Sequence, residues 1–352
     1  MRSHAKTAMG DTGKSESEFL RDLFESLGVA SIAYGVMRNY DSLPETAGGS
    51  DIDIFIRRAD QEKAIAVVEE VVRQAGAVLI GISSASGLNK LCVLGRPGGS
   101  WWGVRLDFLA SMRYGGYANL LDEDVLTNQV FRHQGVLVLK KEVAAAGGLL
   151  KDLLYQAKTD DRYVQDLESL DDEGWAQIQE SMRPIGKHAY GLLKQAAMDP
   201  EKGAALAPLV RKSISMHAYR TNPLKTLIDH VGYGLGLIRR MIWPSGRVVL
   251  LTGGDVGRRA SLWGDISFPL DRATHRGAKF REVRASPLSV LKLYWMTLRK
   301  SVASAPKVEI LAADSILGFR FLPSPLFHYD LDCESGSRDD FLEKMANALE
   351  KK

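Results

Sequence analysis

The sequence predicts an α/β protein in three parts: an α/β unit over residues 16–118, a helical unit over 119–243 and a small second α/β unit over 244–352, after a disordered lead-in at 1–15. Three observations predict it. The chain has 352 residues, room for two to three units at roughly 150 residues each. Its apolar spacing mixes strand and helix periods in the first part, keeps to helix period in the middle and returns to strand period near Arg247. Its composition, 45% hydrophobic and 25% charged, is that of a globular chain, which excludes wholesale disorder and a disulfide scaffold.

Ser15-x-x-Glu18 is a capping-box pattern, and Phe19, Leu20, Leu23, Phe24 and Leu27 follow at helical spacing until Gly28 can end the helix. Val29 to Val36 reads as a short buried strand, and a loop with Pro44, Gly48 and Gly49 leads to a second strand, Asp51 to Ile56. Gln61 to Gln74 is an amphipathic helix stopped by Gly76, and Ala77 to Ile82 a strand. Leu91 to Leu94 and Val104 to Leu109 form a hairpin across Pro97-Gly98-Gly99. In the middle unit Gly147 to Ala157, Leu192 to Ala197 and Leu206 to Ser215 are helical, separated by Pro184, Pro200 and Pro223. The last unit holds strands at Arg247 to Leu251 and Val308 to Ala312, with helices near Pro287 to Lys300 and at Asp340 to Leu349.

No apolar run reaches the roughly 18 residues of a spanning helix, because stretches such as Val231 to Ile238 end in Arg239 and Arg240. The N-terminal residues lack the apolar block of a secretory signal. Cys92 and Cys333 lie far apart, which fits a reducing compartment, argues against a zinc site and makes a cytoplasmic location the expectation. A net charge of +3 does not demand nucleic acid, whose binders show a clustered basic face.

The chemistry concentrates in Gly48-Gly49-Ser50-Asp51-Ile52-Asp53-Ile54-Phe55-Ile56. Residues two apart on a strand share a face, so Asp51 and Asp53 project together while Ile52 and Ile54 enter the core. Carboxylates held this close repel unless a cation lies between them. Magnesium suits such oxygen ligands, usually with substrate phosphates completing its shell. Asp107, on the predicted neighbouring strand, supplies a third acid, enough for a two-metal clamp on a phosphoryl displacement. A bland alternative is a solvated edge strand that happens to read Asp-x-Asp.

With its glycine turn, Asp-x-Asp strand and later Asp, the segment over residues 16–118 resembles the polymerase β-like nucleotidyltransferase superfamily. Val36-Met37-Arg38-Asn39-Tyr40-Asp41-Ser42-Leu43-Pro44 further resembles a bacterial subgroup encoded with cell-surface polysaccharide enzymes. The resemblance implies a mixed-sheet nucleotidyltransferase domain with two Mg²⁺ ions, or Mn²⁺, held by Asp51, Asp53 and Asp107. It implies an NTP, ATP among them, as one substrate and a hydroxyl of a small molecule, glycan or protein as the other. The superfamily's first Gly-Ser falls at Gly35-Val36, so the phosphate-holding serine is missing and Arg38, Asn39 or Ser50 must substitute. Gly35, Gly49 and Lys158 complete the expected nucleotide-binding set, and Tyr163 matches a tyrosine of the same subgroup.

Val248 to Ala260, through Thr252-Gly253-Gly254-Asp255-Val256-Gly257-Arg258-Arg259, resembles the phosphate loop of thymidylate-kinase-like domains, with arginines where lysine and Ser or Thr belong. Guanidiniums there fit a cradled triphosphate poorly, so a degenerate P-loop fold without kinase activity is expected. Trp101 and Trp102 read as hairpin packing ahead of a base-stacking role, and Asp330 with Asp332 as a surface pair. Gly232 to Gly236 is similar to a dinucleotide loop in spacing but follows no strand, the histidines show no metal spacing, and the basic run Arg272 to Lys300 reads as a solvated face. The sequence thus points to a Mg-dependent nucleotidyltransferase, with a catalytically inactive scaffold or interaction protein of the same fold as its rival.

Overall fold

The computed structural model describes residues 13–85, 88–95, 101–110, 120–242, 247–252, 256–274, 278–282, 308–312, 329–332 and 344. Ser15 caps helix α1 (Glu16–Val29) reciprocally, its hydroxyl accepting from Glu18 N–H while its own N–H donates to the Glu18 carboxylate at 2.7 Å. The end of the expected lead-in is therefore ordered: Lys14 N–H donates to Ala75 O at 3.0 Å, and its side chain pairs with Asp22. Gly28 does not stop α1. The helix runs to Val29, Ser31 takes the left-handed conformation (φ 54°), and the strand expected from Val29 shortens to β1 (Tyr34–Val36).

Strand β2 (Ile52–Ile56), helix α2 (Gln61–Gln74) and strands β3 (Val78–Ala85), β4 (Leu88–Gly95) and β5 (Trp102–Leu109) follow the order read from the sequence, with longer hairpin strands. The Pro97 to Gly99 turn lies outside the described residues. After a short α3 (Val125–Asn128) comes a hairpin the sequence did not reveal, β6 (Val130–His133) and β7 (Val136–Leu139). It joins the first sheet, so the sheet extends beyond residue 118 into the stretch read as helical. Its seven strands run β3-β4-β5-β2-β1-β7-β6, with β2 parallel to β5 and antiparallel to β1, and β7 parallel to β1.

Alternation decides the two faces. Ile52, Ile54 and Ile56 on β2, with Val104, Leu106 and Phe108 on β5, pack in one cluster with Phe19, Leu20 and Leu23 of α1 and Val68 and Val71 of α2. Phe55 points the other way, into a cluster with Leu149, Leu150 and Leu153 of α4 (Lys141–Tyr155). Behind α4 stand α5 (Asp161–Glu168), α6 (Asp172–Ser181), α7 (Lys187–Met198), α8 (Gly203–Thr221) and α9 (Pro223–Ile242).

The last part has an all-parallel sheet, β11-β8-β10-β9, of β8 (Arg247–Thr252), β9 (Ala278–Glu282), β10 (Val308–Ala312) and β11 (Tyr329–Asp332), with α10 (Val256–Thr274) after β8. A strand and a helix are present where the sequence predicts them, as β8 and α10, and the glycine-rich stretch between them, Gly253 to Asp255, lies outside the described residues. So do the expected helix at Pro287 to Lys300 and, apart from Lys344, that at Asp340 to Leu349. Helix α10 packs on β5 and β4, burying Ile266, Leu270 and Ala273, while Cys92 and Leu94 of β4 are fully enclosed. A Cβ on Gly103 would lie 1.8 Å from Pro269 O, so only glycine lets α10 approach β5 here.

Candidate metal centre on the first sheet

The acids meet because β2 and β5 run parallel with Asp53 opposite Asp107. Asp51 stands immediately before β2, after a turn in which Gly48 and Gly49 take φ of +61° and +81°, conformations that only glycine adopts at little cost. Ser50 N–H donates to Ala47 O at 3.2 Å, and its hydroxyl to the same oxygen at 3.3 Å. One carboxylate oxygen from each of Asp51, Asp53 and Asp107 lies within 4.8 Å of the others, and among the described residues no other such group of acidic, His or Cys ligands forms.

Fixed cations surround this cluster. Arg105, two residues before Asp107 on the same strand face, is buried and donates from Nε and NH2 to the two Asp107 oxygens at 2.7 and 2.6 Å. The same NH2 is 3.7 Å from Asp51. Arg38 donates through Nε to Asp53 and through NH1 to the Tyr163 hydroxyl at 3.2 Å. Tyr163 fits against α4 because a Cβ on Gly148 would lie 2.4 Å from its ring. Lys90, opposite Asp107 on β4, is buried as well.

Burial pushes the Asp53 carboxyl up; Arg38 pulls it down, and Asp51 and Asp107 push it further up, leaving it raised. Burial likewise lowers Lys90 against the pull of Asp107. Both guanidiniums are held in the charged form: burial opposes it, but Asp53 for Arg38 and Asp107 for Arg105 outweigh that. Cys92, fully buried opposite Arg105, has its thiol pushed up to about 12 by burial and is an unreactive packing residue.

The donor set fits a divalent cation: three hard carboxylates converge, and an oxygen that accepts a guanidinium N–H keeps a second lone pair. Counting the formal charges of Arg38, Arg105 and Lys90 against the three acids leaves no net charge. Such a centre attracts a cation together with a polyphosphate more than a pair of bare ions.

The nucleotide-binding candidates are spread around this centre. Gly35 is enclosed in β1, where a Cβ would lie 2.9 Å from Leu139, so its smallness makes room for β7. Asn39 is exposed with φ 56°, and Gly49 is exposed on the turn. Lys158 is exposed beyond the end of α4, and it is Lys151 whose charge acts on Asp53. Trp102 belongs to the opposite face, tilted on Phe19 at 5.0 Å with its indole donating to Lys14 O at 2.9 Å, as the packing reading expected. Arg105 and Lys90 were missed. The Arg-x-Asp spacing on one strand was a visible signal for Arg105, whereas Lys90 depends on the hairpin register.

No family model and no curated protein matches the chain. It is similar in structure to two Helicobacter pylori chains. JHP933 is 12% identical, with a TM-score of 0.29 over 63% of this chain and 100% of its own. A "putative nucleotidyltransferase from H. pylori" is 10% identical, with a TM-score of 0.27 over 60% of this chain and 98% of its own. Likenesses this slight carry no argument about activity, which rests on the chain's own residues.

Proposed function

We propose that the chain is a nucleotidyltransferase that uses a divalent cation to move a nucleoside monophosphate from an NTP to an acceptor hydroxyl. The observation that carries this reading is the parallel register setting Asp53 beside Asp107, with Asp51 on the same face. Asp51, Asp53 and Asp107 would hold Mg²⁺ or Mn²⁺, which when bound neutralises the polyphosphate and polarises the phosphorus under attack. The acceptor oxygen attacks the α-phosphorus, the bond to the β-phosphate oxygen breaks, and pyrophosphate leaves with the electron pair. Asp107 is the assigned acceptor of the hydroxyl proton, with Arg105 fixing its carboxylate plane. Arg38 and Lys151 offer positive charge to the phosphates at the edge of the site. Gly49, Ser50 and Asn39 stand on the loop side, and Lys158 at the end of α4. The polysaccharide setting and the degenerate P-loop remain part of this proposal, as does a role for residues 244–352 in stability with no kinase activity.

A second reading, a binding or scaffold protein without turnover, draws on the guanidiniums already seated on Asp53 and Asp107. One experiment separates the two. The four NTPs are offered with Mg²⁺ or Mn²⁺ to the full chain and to Asp51→Asn, and pyrophosphate release is followed. The enzyme releases it only with a cation and with Asp51 intact. Calorimetric NTP binding without release under every condition would favour the scaffold, and equally tight binding in excess chelator would remove the metal from both readings.

A further inference from the structure

Two guanidiniums and a phenol meet beside the acidic cluster. The Tyr163 hydroxyl accepts from Arg38 NH1 at 3.2 Å and from Arg162 NH2 at 3.0 Å, and the Arg162 guanidinium lies over the same ring at 4.5 Å. Tyr163 is 7% exposed. A phenol has one proton to donate and two lone pairs with which to accept. The two guanidiniums occupy both lone pairs, and among the described residues nothing accepts the proton. A buried donor without an acceptor, held between two like charges, is costly until an anion joins it.

The two cations differ in how well they are matched. Arg38 is seated on Asp53. Arg162 has Asp160 at 3.5 Å, longer than a normal hydrogen bond, and its side chain is 56% exposed, so its remaining N–H groups are open to a ligand. Because Arg38 reaches from Asp53 to Tyr163, this group of donors begins one guanidinium away from the metal ligands. Arg38, Arg105 and Lys90 already balance the three acids, so a divalent cation entering the centre leaves positive charge uncompensated. A polyphosphate that arrives with the cation restores the balance, and guanidinium forks suit its oxygens.

We infer that Arg162, with the Tyr163 hydroxyl and the outer N–H groups of Arg38, forms the site for the terminal phosphate of the NTP, and that the chain distinguishes a triphosphate from a diphosphate there. The inference rests on the nucleotidyl transfer proposed above. In that reaction the α-phosphate must lie at the acids, so the rest of the polyphosphate extends away from them. Arg38 stands next to the acids and Arg162 one step further out, which places Arg162 at the far end of the chain of phosphates.

Calorimetry on the full chain with Mn²⁺ and no acceptor tests the assignment, using each of the four NTPs, the matching NDPs and inorganic phosphate. The wild type is expected to bind at least one NTP more tightly than its NDP. Arg162→Met is expected to weaken that NTP about tenfold, as for loss of one charge-assisted hydrogen bond, while binding of the NDP and of Mn²⁺ alone is little changed. Arg162→Lys should recover part of the loss. Tyr163→Phe, which keeps the ring against Gly148, should show the same selective loss and decides the matter should Arg162→Met fail to fold. Lys187→Met, which removes an exposed charge on α7, should change none of these affinities. Equal losses for NTP and NDP, or no loss in the folded variants, would overturn the inference and leave nucleotidyl transfer standing. Inorganic phosphate bound as tightly as the NTP, and lost in Arg162→Met, would overturn it in favour of a free-phosphate site. A wild type that binds no Mn²⁺ would remove the metal centre itself, and this site with it.

Discussion

The guanidinium of Arg105 determines what a substitution at Asp107 reports. Both carboxylate oxygens are engaged and both side chains are about 95% enclosed, at 5% and 6% exposure. Removing one member of such a buried pair costs about 3–5 kcal/mol, while exchanging both for apolar residues is often neutral. Asp107→Asn is thus expected to lower the urea midpoint as well as pyrophosphate release, the latter by at least the ~10²- to 10⁴-fold of general-base loss. Arg105→Met with Asp107→Leu is expected to regain stability without activity; a double variant that regained both would make Asp107 a packing residue. Asp53 yields a second expectation. Its carboxyl is raised chiefly by burial, opposed by Arg38 and reinforced by Asp51 and Asp107. A carboxyl raised in the folded chain lends stability when protonated and loses it as pH rises through the folded value, so ionised Asp53 is a cost that a bound cation offsets. Mn²⁺ affinity measured by calorimetry should begin to fall on acidification above the ordinary carboxylate value of about 4, and Asp53→Asn should abolish that early fall. Affinity that stays flat down to the ordinary range would contradict the assignment of Asp53 as a ligand.

At the scale of elements, the docking of α10 on β5 rests on one missing side chain. Gly103 faces Pro269 O so closely that a methyl group cannot enter without moving the helix. Gly103→Ala should therefore cost at least the about 1–3 kcal/mol of an overpacked site, read as a lowered thermal midpoint. Gly232→Ala, in open space on α9, is the matched control and should not lower it. The helices α1 and α2, the acidic strand and the β4–β5 hairpin were legible in the sequence, because each has a complete local signature: a capping box, a helical repeat, or alternation between glycine turns. The β6–β7 hairpin was not. Val130, Phe131, Arg132 and His133 carry no alternation of burial, and β7 earns its place only by pairing with β1 far away in sequence. Of the site, Asp51 and Asp53 could be read from local spacing and Asp107 from the apolar strand around it, while its place opposite Asp53 depends on the pairing of β5 with β2. Their cations could not all be read, because Lys90 reaches Asp107 through strand register and Arg38 reaches Asp53 and Tyr163 through tertiary packing.

Across the whole molecule, the C-terminal part is connected to the acidic loop by a chain of polar contacts. Arg272 of α10 donates from NH1 and NH2 to the two Glu16 oxygens at 2.8 and 2.7 Å. Glu16 in turn accepts from the Thr46 hydroxyl at 2.8 Å and from Ala47 N–H at 2.7 Å, directly ahead of Gly48, Gly49, Ser50 and Asp51. Arg272 thus ties α10 to the loop that leads to Asp51, a contact that depends on tertiary packing and has no local signal in the sequence. Arg272→Ala removes the guanidinium and leaves the Glu16 carboxylate, 13% exposed, with its two loop contacts alone. An unpaired, largely buried partner of this kind costs about 1–3 kcal/mol. The expected outcome has two parts: a lower thermal midpoint, and weaker Mn²⁺-dependent NTP binding because the loop before Asp51 is less fixed. Arg272→Lys, which keeps the charge but not the paired geometry, should recover part of the binding. Thermal stability and calorimetric NTP affinity measured on the same preparations decide the matter. If Arg272→Ala lowers stability yet binds Mn²⁺ and NTP as tightly as the wild type, the contact holds the two parts together without positioning Asp51.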